Sequence, residues 1–277
     1  MKGKELIKLE HLSILEINGK GSFELLQGQI TSDMEKVSED NCVISSICDI
    51  KGRVMSSFIA AKNQKENHSF FLVGETNALE ATQTILEKYK PFYDCSLEQK
   101  EDIKFYAIEE DCLIRNFPES KLEISFQNYD SFFRLHYLEK KYHLVAFTES
   151  EEFKGYKISN DKLPWELDEI INQNFEITSE VINKFTPHEL GYHLNTRIDF
   201  EKGCYTGQEI VARMHYRAKK LPEILVRSTN KEVEDLTKVY DKDKKVVGLI
   251  LSSTKTDSNY HCLLSMNKNY SGQDIDF

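Results

Sequence analysis

Lys202-Gly203-Cys204-Tyr205-Thr206-Gly207-Gln208-Glu209-Ile210-Val211-Ala212-Arg213 is the stretch from which the rest of the chain can be read. Gly203 and Gly207 bracket Cys-Tyr-Thr, and glycines at that spacing permit a sharp turn or a close backbone approach. Thr206 and Glu209 fit a capping box, in which the Thr hydroxyl accepts from the N3 backbone N–H and the Glu carboxylate reaches back. The pattern predicts a helix from Gly207 that carries Ile210, Val211 and Met214 toward a core. Cys204 then lies on a loop just outside a helix N-terminus, two residues from Lys202. Helix dipole and ammonium both favour thiolate over thiol. The competing reading makes Cys204 a small buried residue in a tight turn, the usual place of a lone cysteine. The residues alone leave the two readings open.

Outward from this run, other pieces follow in order. Leu26-Gln27-Gly28-Gln29-Ile30-Thr31-Ser32-Asp33 belongs to a short helix and its exit. Cys48-Asp49-Ile50-Lys51-Gly52-Arg53 joins two apolar runs, Val43 to Cys48 and Val54 to Ala61, as a hairpin with glycine in the turn. Phe185-Thr186-Pro187 and Phe200-Glu201-Lys202 lead into the cysteine loop. Together these pieces resemble the YgfZ family of folate-binding proteins, relatives of the aminomethyltransferase (T-protein) of the glycine cleavage system. The resemblance spans most of residues 9–217.

It implies an α+β, GcvT-like multi-domain fold with ferredoxin-like α/β units and a small C-terminal β-barrel-like domain. The expected division is a folate-binding core over 1–217, with a connection near 149–161, and a β domain over 221–277. It also implies a tetrahydrofolate-binding accessory protein that supports assembly or repair of iron–sulfur enzymes, including radical enzymes that modify tRNA. On that reading Cys204 and Lys202 carry the chemistry, Cys204 being able to hold a transient iron–sulfur cluster. Trp165, Leu12, Tyr205, Gln208, Glu209 and Arg213 serve the folate. Family members carry a tryptophan where Leu12 stands, which predicts weaker pterin stacking. Ala218 replaces a usual glycine, and the segment after Leu221 is short for the family.

Composition sets bounds. The chain has 277 residues, 40% hydrophobic and 30% charged, as in ordinary soluble globular proteins. Its net charge of −10 argues against direct nucleic-acid binding through a broad basic surface. Lys and Glu interrupt the first apolar residues, so no secretory signal is expected, and no run approaches the roughly 20 apolar residues of a spanning helix. The six cysteines (Cys42, Cys48, Cys95, Cys112, Cys204, Cys262) are dispersed, which suggests reduced thiols in a cytoplasm. None forms Cys-x-x-Cys, so no local metal site is expected.

Along the chain, Leu9 to Ile17 reads as a strand before Asn18-Gly19, and Ser22 opens a short helix. Ser69 to Val73 is a strand. Ala78 to Tyr89 is a helix ended by Pro91. Ile103 to Ile108 is a strand, and Phe132 to Tyr137 with Tyr142 to Phe147 a second hairpin. Leu163-Pro164-Trp165 opens a helix, with Trp165 either a core anchor or, by resemblance, a folate contact. Phe175 to Asn195 is irregular; His188 and His193 within it read as loop residues, one of which could act near Cys204. His215-Tyr216-Arg217-Ala218-Lys219-Lys220 is a basic cluster, either a solvated face or an anion site for a folate tail or acidic partner. Ile224 to Arg227, Val246 to Ser252 and Tyr260 to Ser265 read as strands, with Asp243 and Gly272 at turns.

Three other functions compete. A tetrahydrofolate-dependent aminomethyltransferase needs an acid or base beside the folate, and no carboxylate stands in a matching motif. A cysteine-nucleophile enzyme would need His193 or His215 as base. An RNA-binding module is disfavoured by charge.

Overall fold

A computed structural model describes residues 4–218, 220–257, 259–268 and 270. Lys219 and Gly272, assigned above to a basic cluster and a turn, lie outside the described residues. In chain order the elements are β1 (Glu5–Lys8), β2 (Leu12–Asn18), α1 (Ser22–Gln27), β3 (Val43–Cys48), β4 (Val54–Lys62), β5 (Ser69–Glu75), α2 (Thr76–Leu86), β6 (Ser96–Lys100), β7 (Lys104–Glu109) and α3 (Glu110–Asn116). They continue with β8 (Phe126–Asn128), β9 (Phe133–Leu135), β10 (Tyr142–Phe147), β11 (Lys157–Ser159), α4 (Leu163–Ile171), α5 (Gln208–Arg217), β12 (Glu223–Thr229), β13 (Lys238–Tyr240), β14 (Val246–Lys255) and β15 (Tyr260–Met266).

The strands make three sheets, ordered β3-β4-β5-β2-β6, β11-β1-β7-β10-β9-β8 and β12-β15-β14-β13. Alternation along the strands stacks the first two sheets face to face. In β7, Phe105 and Ala107 point inward against Ile14, Ile59 and Val73 of the other sheet. Tyr106 and Ile108 point outward onto Cys112 and Leu113 of α3. Likewise Leu15 and Ile17 of β2 face Leu25, Leu26, Leu79 and Leu86 on α1 and α2. The result is helices outside and two sheets within, an α+β architecture. Phe105 alone, 2% exposed, contributes roughly 1.5–3 kcal/mol by its burial.

After α4 the chain runs without long regular structure until α5. Its apolar residues, among them Phe175, Ile177, Leu190, Tyr192 and Ile198, form one cluster with Leu251 and Leu263 of the third sheet. Hydrogen bonds fasten it to the segment after α1: Ser32 Oγ donates to the Arg197 carbonyl at 2.9 Å, and Asp199 N to the Thr31 carbonyl at 2.9 Å.

The structure adds detail that periodicity missed. The strand expected over 9–17 begins only at Leu12, and a separate strand, β1, precedes it over Glu5–Lys8, because the chain leaves one sheet after Lys8 and enters another at Leu12. Helix α2 ends at Leu86, and Pro91 instead lies in a 3₁₀ turn, Lys90–Phe92. Residues 149–161 contribute β11, which pairs in parallel with β1, Glu5 opposite Lys157. A three-residue edge strand of mostly exposed side chains leaves no readable alternation.

Candidate functional site

Three of the sequence pieces meet at the cysteine loop. Gly207, at φ 86°, is the residue before α5. A Cβ there would collide with the Asp49 carbonyl in the β3–β4 turn, so helix start and hairpin turn touch backbone to backbone. The turn is shaped by Asp49, whose Oδ1 accepts from Lys51 N and Arg53 N, each at 2.8 Å. A Cβ on Gly52 would press on Ile210 of α5 at 3.0 Å. From the other side, Lys202 Nζ donates to the carbonyls of Gln27 and Ile30, both at 2.7 Å. Burial pulls the Lys202 ammonium down to about 8, although Asp33 and Asp199 oppose this.

Two expectations about this loop change. Thr206 does not cap the helix: its hydroxyl donates to Gln29 Oε1 at 3.0 Å, and Gly207 occupies the N-cap with no side-chain bond. The left-handed turn at Gly207 directs Thr206 back toward the segment after α1, so the capping box is not formed. Lys202 is engaged by two carbonyls and holds the end of α1 against the loop. Cys204 itself is exposed.

The second feature is a cavity of about 580 Å³ between the stacked sheets, α4 and the third sheet. Leu12, Val73 and Leu144 give it apolar walls, with Trp165 at one side. Two carboxylates, Glu169 and Glu176, also line it. Both are held by buried cations. Lys140, its side chain fully buried, pairs with Glu169, and Arg197, equally buried, pairs with Glu176. Asn174 joins the pairs: its amide donates to both carboxylates, at 2.9 Å to Glu176, and its carbonyl accepts from Arg197 at 2.7 Å. Ser57 donates to Glu176 at 2.6 Å, and Lys140 donates to the Tyr137 hydroxyl at 2.8 Å. Lys140 also sits 4.0 Å above the Trp165 ring.

The two pairs differ electrostatically. Burial pushes the Glu169 carboxyl up, against the pull of Lys140, and pulls the Lys140 ammonium down. Burial also acts to raise Glu176, but Arg197 with Ser57 and Asn174 outweighs it and holds the carboxyl below its usual range. Glu176–Arg197 is therefore the firmly ionised pair, and Glu169–Lys140 the one closer to exchanging a proton.

Trp165 and Leu12, named from sequence as folate contacts, thus share one cavity. Tyr205, Gln208, Glu209 and Arg213 are not among its lining residues. Tyr205 is buried beside Lys202, 5.2 Å from its ammonium, while Glu209 and Arg213 are exposed on α5. Sequence reasoning missed Glu169, Glu176, Asn174 and Arg197, which come from no single motif. The one available signal was density: Glu169, Asn174 and Glu176 lie close together where the helix opened by Leu163 runs into the irregular stretch from Phe175.

Histidines gather in two places. His143 stacks on His136 at 4.0 Å, near Glu110. Arg134 donates to His143 Nδ1 at 2.9 Å, so the neutral ring carries its proton on Nε2, which donates to Glu110 at 3.1 Å. That leaves His143 no lone pair for a metal, and the buried guanidinium repels a cation. The second group joins His188 and His193 to His215 of α5, with ring centroids 4.7, 5.9 and 6.3 Å apart.

No protein-family model matches the chain. Curated relatives do. The chain is 29% identical to the tRNA-modifying protein YgfZ of Colwellia psychrerythraea over 77% of its own length and 68% of the relative's. The YgfZ of Vibrio atlanticus is 25% identical over 84% and 73% of the two chains, and that of Aliivibrio fischeri 23% over 98% and 87%. In structure, the chain is similar to the glycine cleavage system aminomethyltransferase T from Bartonella henselae, at TM-score 0.70 and 14% identity, over 95% of this chain and 78% of that one. The last likeness fixes the fold as GcvT-like. With that fold, and with several relatives named tRNA-modifying protein YgfZ matched over most of its length, the chain is similar to the YgfZ proteins in sequence and to the aminomethyltransferase in fold.

Proposed function

We propose that the protein is a tetrahydrofolate-binding accessory factor for iron–sulfur enzymes, including radical enzymes that modify tRNA, with Cys204 as its reactive thiol. The cavity carries this reading. A pterin presents apolar faces and an edge of N–H donors, and it needs apolar walls with a few convergent acceptors. Leu12, Val73, Leu144 and Trp165 supply the walls, and Glu169 and Glu176 the acceptors. A volume of about 580 Å³ lies within the range of small-molecule pockets. Glu176, kept ionised by Arg197, would accept from the pterin's amino-pyrimidinone edge. Tetrahydrofolate, when bound, supplies a carrier of one-carbon units. An exposed thiol on a loop held by Lys202, Gly207 and the β3–β4 turn can ligate cluster iron or exchange sulfur with a partner, the cluster being cargo. The names of the relatives, tRNA-modifying proteins, support a place beside tRNA-modification enzymes.

A second reading, a folate-dependent aminomethyltransferase, is favoured by Glu169, whose raised pKa makes it a proton acceptor inside the cavity. Comparing cells with and without the protein separates the two. Broad loss of iron–sulfur enzyme activity supports the first, and impaired glycine breakdown with intact cluster enzymes the second.

Calorimetric titration with tetrahydrofolate tests the cavity. Binding on the order of micromolar or weaker is expected, because Leu12 offers less stacking surface than an aromatic ring. Leu12→Trp should tighten it, and Glu176→Gln should weaken it at least about tenfold, the loss of one charge-assisted bond. Trp165, the one tryptophan of the chain, should change its emission saturably in parallel. Absence of both heat and emission change at millimolar folate would remove folate from the function.

A further inference from the structure

We propose that His188, His193 and His215 form a binding site for a divalent transition-metal ion of the zinc class. The first observation is an omission in the hydrogen bonding. His188 is fully buried, yet neither of its ring nitrogens has a partner among the described residues. A neutral imidazole carries one donor and one acceptor, and leaving a buried polar group unmade costs roughly 1–3 kcal/mol. Histidine is uncommon at such a position unless something satisfies it. The Nδ1 atoms of His193 and His215 are buried without partners as well. Three neighbouring rings with the same deficit point to one missing occupant.

The second observation is spacing. Three imidazoles on a tetrahedral ion, with metal–nitrogen bonds of about 2.0–2.1 Å, place ring centroids roughly 5 Å apart. The centroids here stand at 4.7, 5.9 and 6.3 Å. The ring nitrogens do not yet all lie within 4.8 Å of one another, so an ion would draw the rings slightly inward. The elements that carry them are firmly held. Tyr192, between His188 and His193, is fully buried and donates through its hydroxyl to the Phe175 carbonyl at 2.7 Å. His215 lies on α5 and stacks on Phe200 at 3.8 Å.

The third observation is charge. The groups that act electrostatically on His188 are the other two histidines. Neutral imidazole is the ligating form and suits zinc, copper, nickel and iron. The contrast with the His136–His143 pair is chemical: there Arg134 and Glu110 already use both nitrogens of His143, and here no guanidinium intrudes. His193 and His215 are partly exposed, which leaves an entry path and a fourth coordination position for water or a partner's ligand.

The test uses the full chain, stripped of metal with a chelator. Zn(II) is titrated against a chromophoric competitor, and Co(II) is added separately to read coordination from its visible spectrum. One equivalent per chain is expected, with a tetrahedral nitrogen-ligand Co(II) spectrum and a higher melting temperature in the presence of Zn(II). Cys204→Ser must retain this binding, since the site does not include the thiol. His193→Asn and His215→Asn replace half-exposed rings and should weaken binding roughly tenfold or more, with unchanged circular dichroism. His188→Phe should abolish it. No binding by the wild type at micromolar metal overturns the proposal. So does binding that survives all three histidine changes or disappears with Cys204→Ser. Folate binding is read in the absence of metal, so failure of one site leaves the other standing.

Discussion

The cavity and the cysteine loop are built in opposite ways. The cavity draws its polar groups from four separated segments, Ser57, Lys140, Glu169 to Glu176 and Arg197, and closes them into one hydrogen-bonded network inside the core. The loop is nearly contiguous, and its partners are backbone atoms: two carbonyls under Lys202 and a turn against Gly207. In the cavity, stability and recognition rest on the same charges. At the loop they are separate, because Lys202 and Gly207 hold the backbone and leave the Cys204 side chain exposed. Substitution should therefore damage fold and function together in the first region and function alone in the second.

The largest effect is expected at Arg197. Removing one partner of a buried ion pair leaves the other as an uncompensated charge and costs about 3–5 kcal/mol. Arg197→Met should lower unfolding stability by that order in urea titration. Glu176→Gln added to it should restore part of the loss, since the stranded carboxylate is then gone. A loss below about 1 kcal/mol in the single variant would mean that the network is not held as described.

What could be read from sequence follows the same division. The loop was legible because Gly203, Cys204, Thr206 and Gly207 are close in the chain, and local chemistry has local signals. Even there, the fate of Thr206 depended on Gln29, far away in sequence, so a good capping pattern gave way to a tertiary hydrogen bond. The hairpins and inner strands were legible as short apolar runs bounded by turn residues: Phe105, Tyr106, Ala107 and Ile108 are all buried, two against the facing sheet and two beneath α3. Leu12 and Trp165 were found through family likeness, since an aliphatic and an indole carry no mark of a pocket. Glu169, Glu176 and Arg197 went unseen because charged residues on a short helix or in loops resemble a solvated surface. His188 and His193 look like loop residues in the sequence for a similar reason: the third ring arrives on α5, and no spacing rule connects them.

An intermediate effect is expected with pH. Burial holds His188 down to about 4, with His193 and His215 acting in the same direction, and holds His143 down to about 2, with His136 and Arg134 reinforcing it. The unfolded imidazole titrates near 6.5. Below that pH the unfolded chain binds protons that the folded chain refuses. Stability from these rings is thus complete above about pH 6.5 and falls as pH drops toward the folded values. Glu176, also held low, adds a loss in the carboxylate range, while Glu169, held high, works against it there. The melting temperature in metal-free buffer should decline between pH 7 and 5, before carboxylates protonate. His188→Gln should flatten part of that decline. A melting temperature constant over that interval would show that the buried rings accept protons in place.

The smallest effect on the fold is expected at Cys204, and it sharpens the comparison most. An exposed side chain with no partner in the core should be replaceable by serine within about 0.5 kcal/mol. Yet the same change should abolish support of iron–sulfur enzymes if the thiol is the working atom. Reactivity with a thiol reagent gives an independent reading, because the nucleophile is the thiolate and access is required. Burial pushes Cys42 up to about 11, Cys48 to about 12 and Cys262 to about 11, and raises Cys95 as well; Cys112 is buried. At neutral pH the folded protein should therefore show one fast thiol, which mass spectrometry places at Cys204, and the Cys204→Ser variant should lack it. Lys202→Met distinguishes exposure from electrostatic activation. Its ammonium is committed to the Gln27 and Ile30 carbonyls, so its loss should destabilise the loop and quicken labelling of Cys48 beneath Gly207. If Cys204 labelling instead slows in that variant while the fold is unchanged, the ammonium activates the thiol after all. The loop would then couple structure to chemistry as tightly as the cavity does.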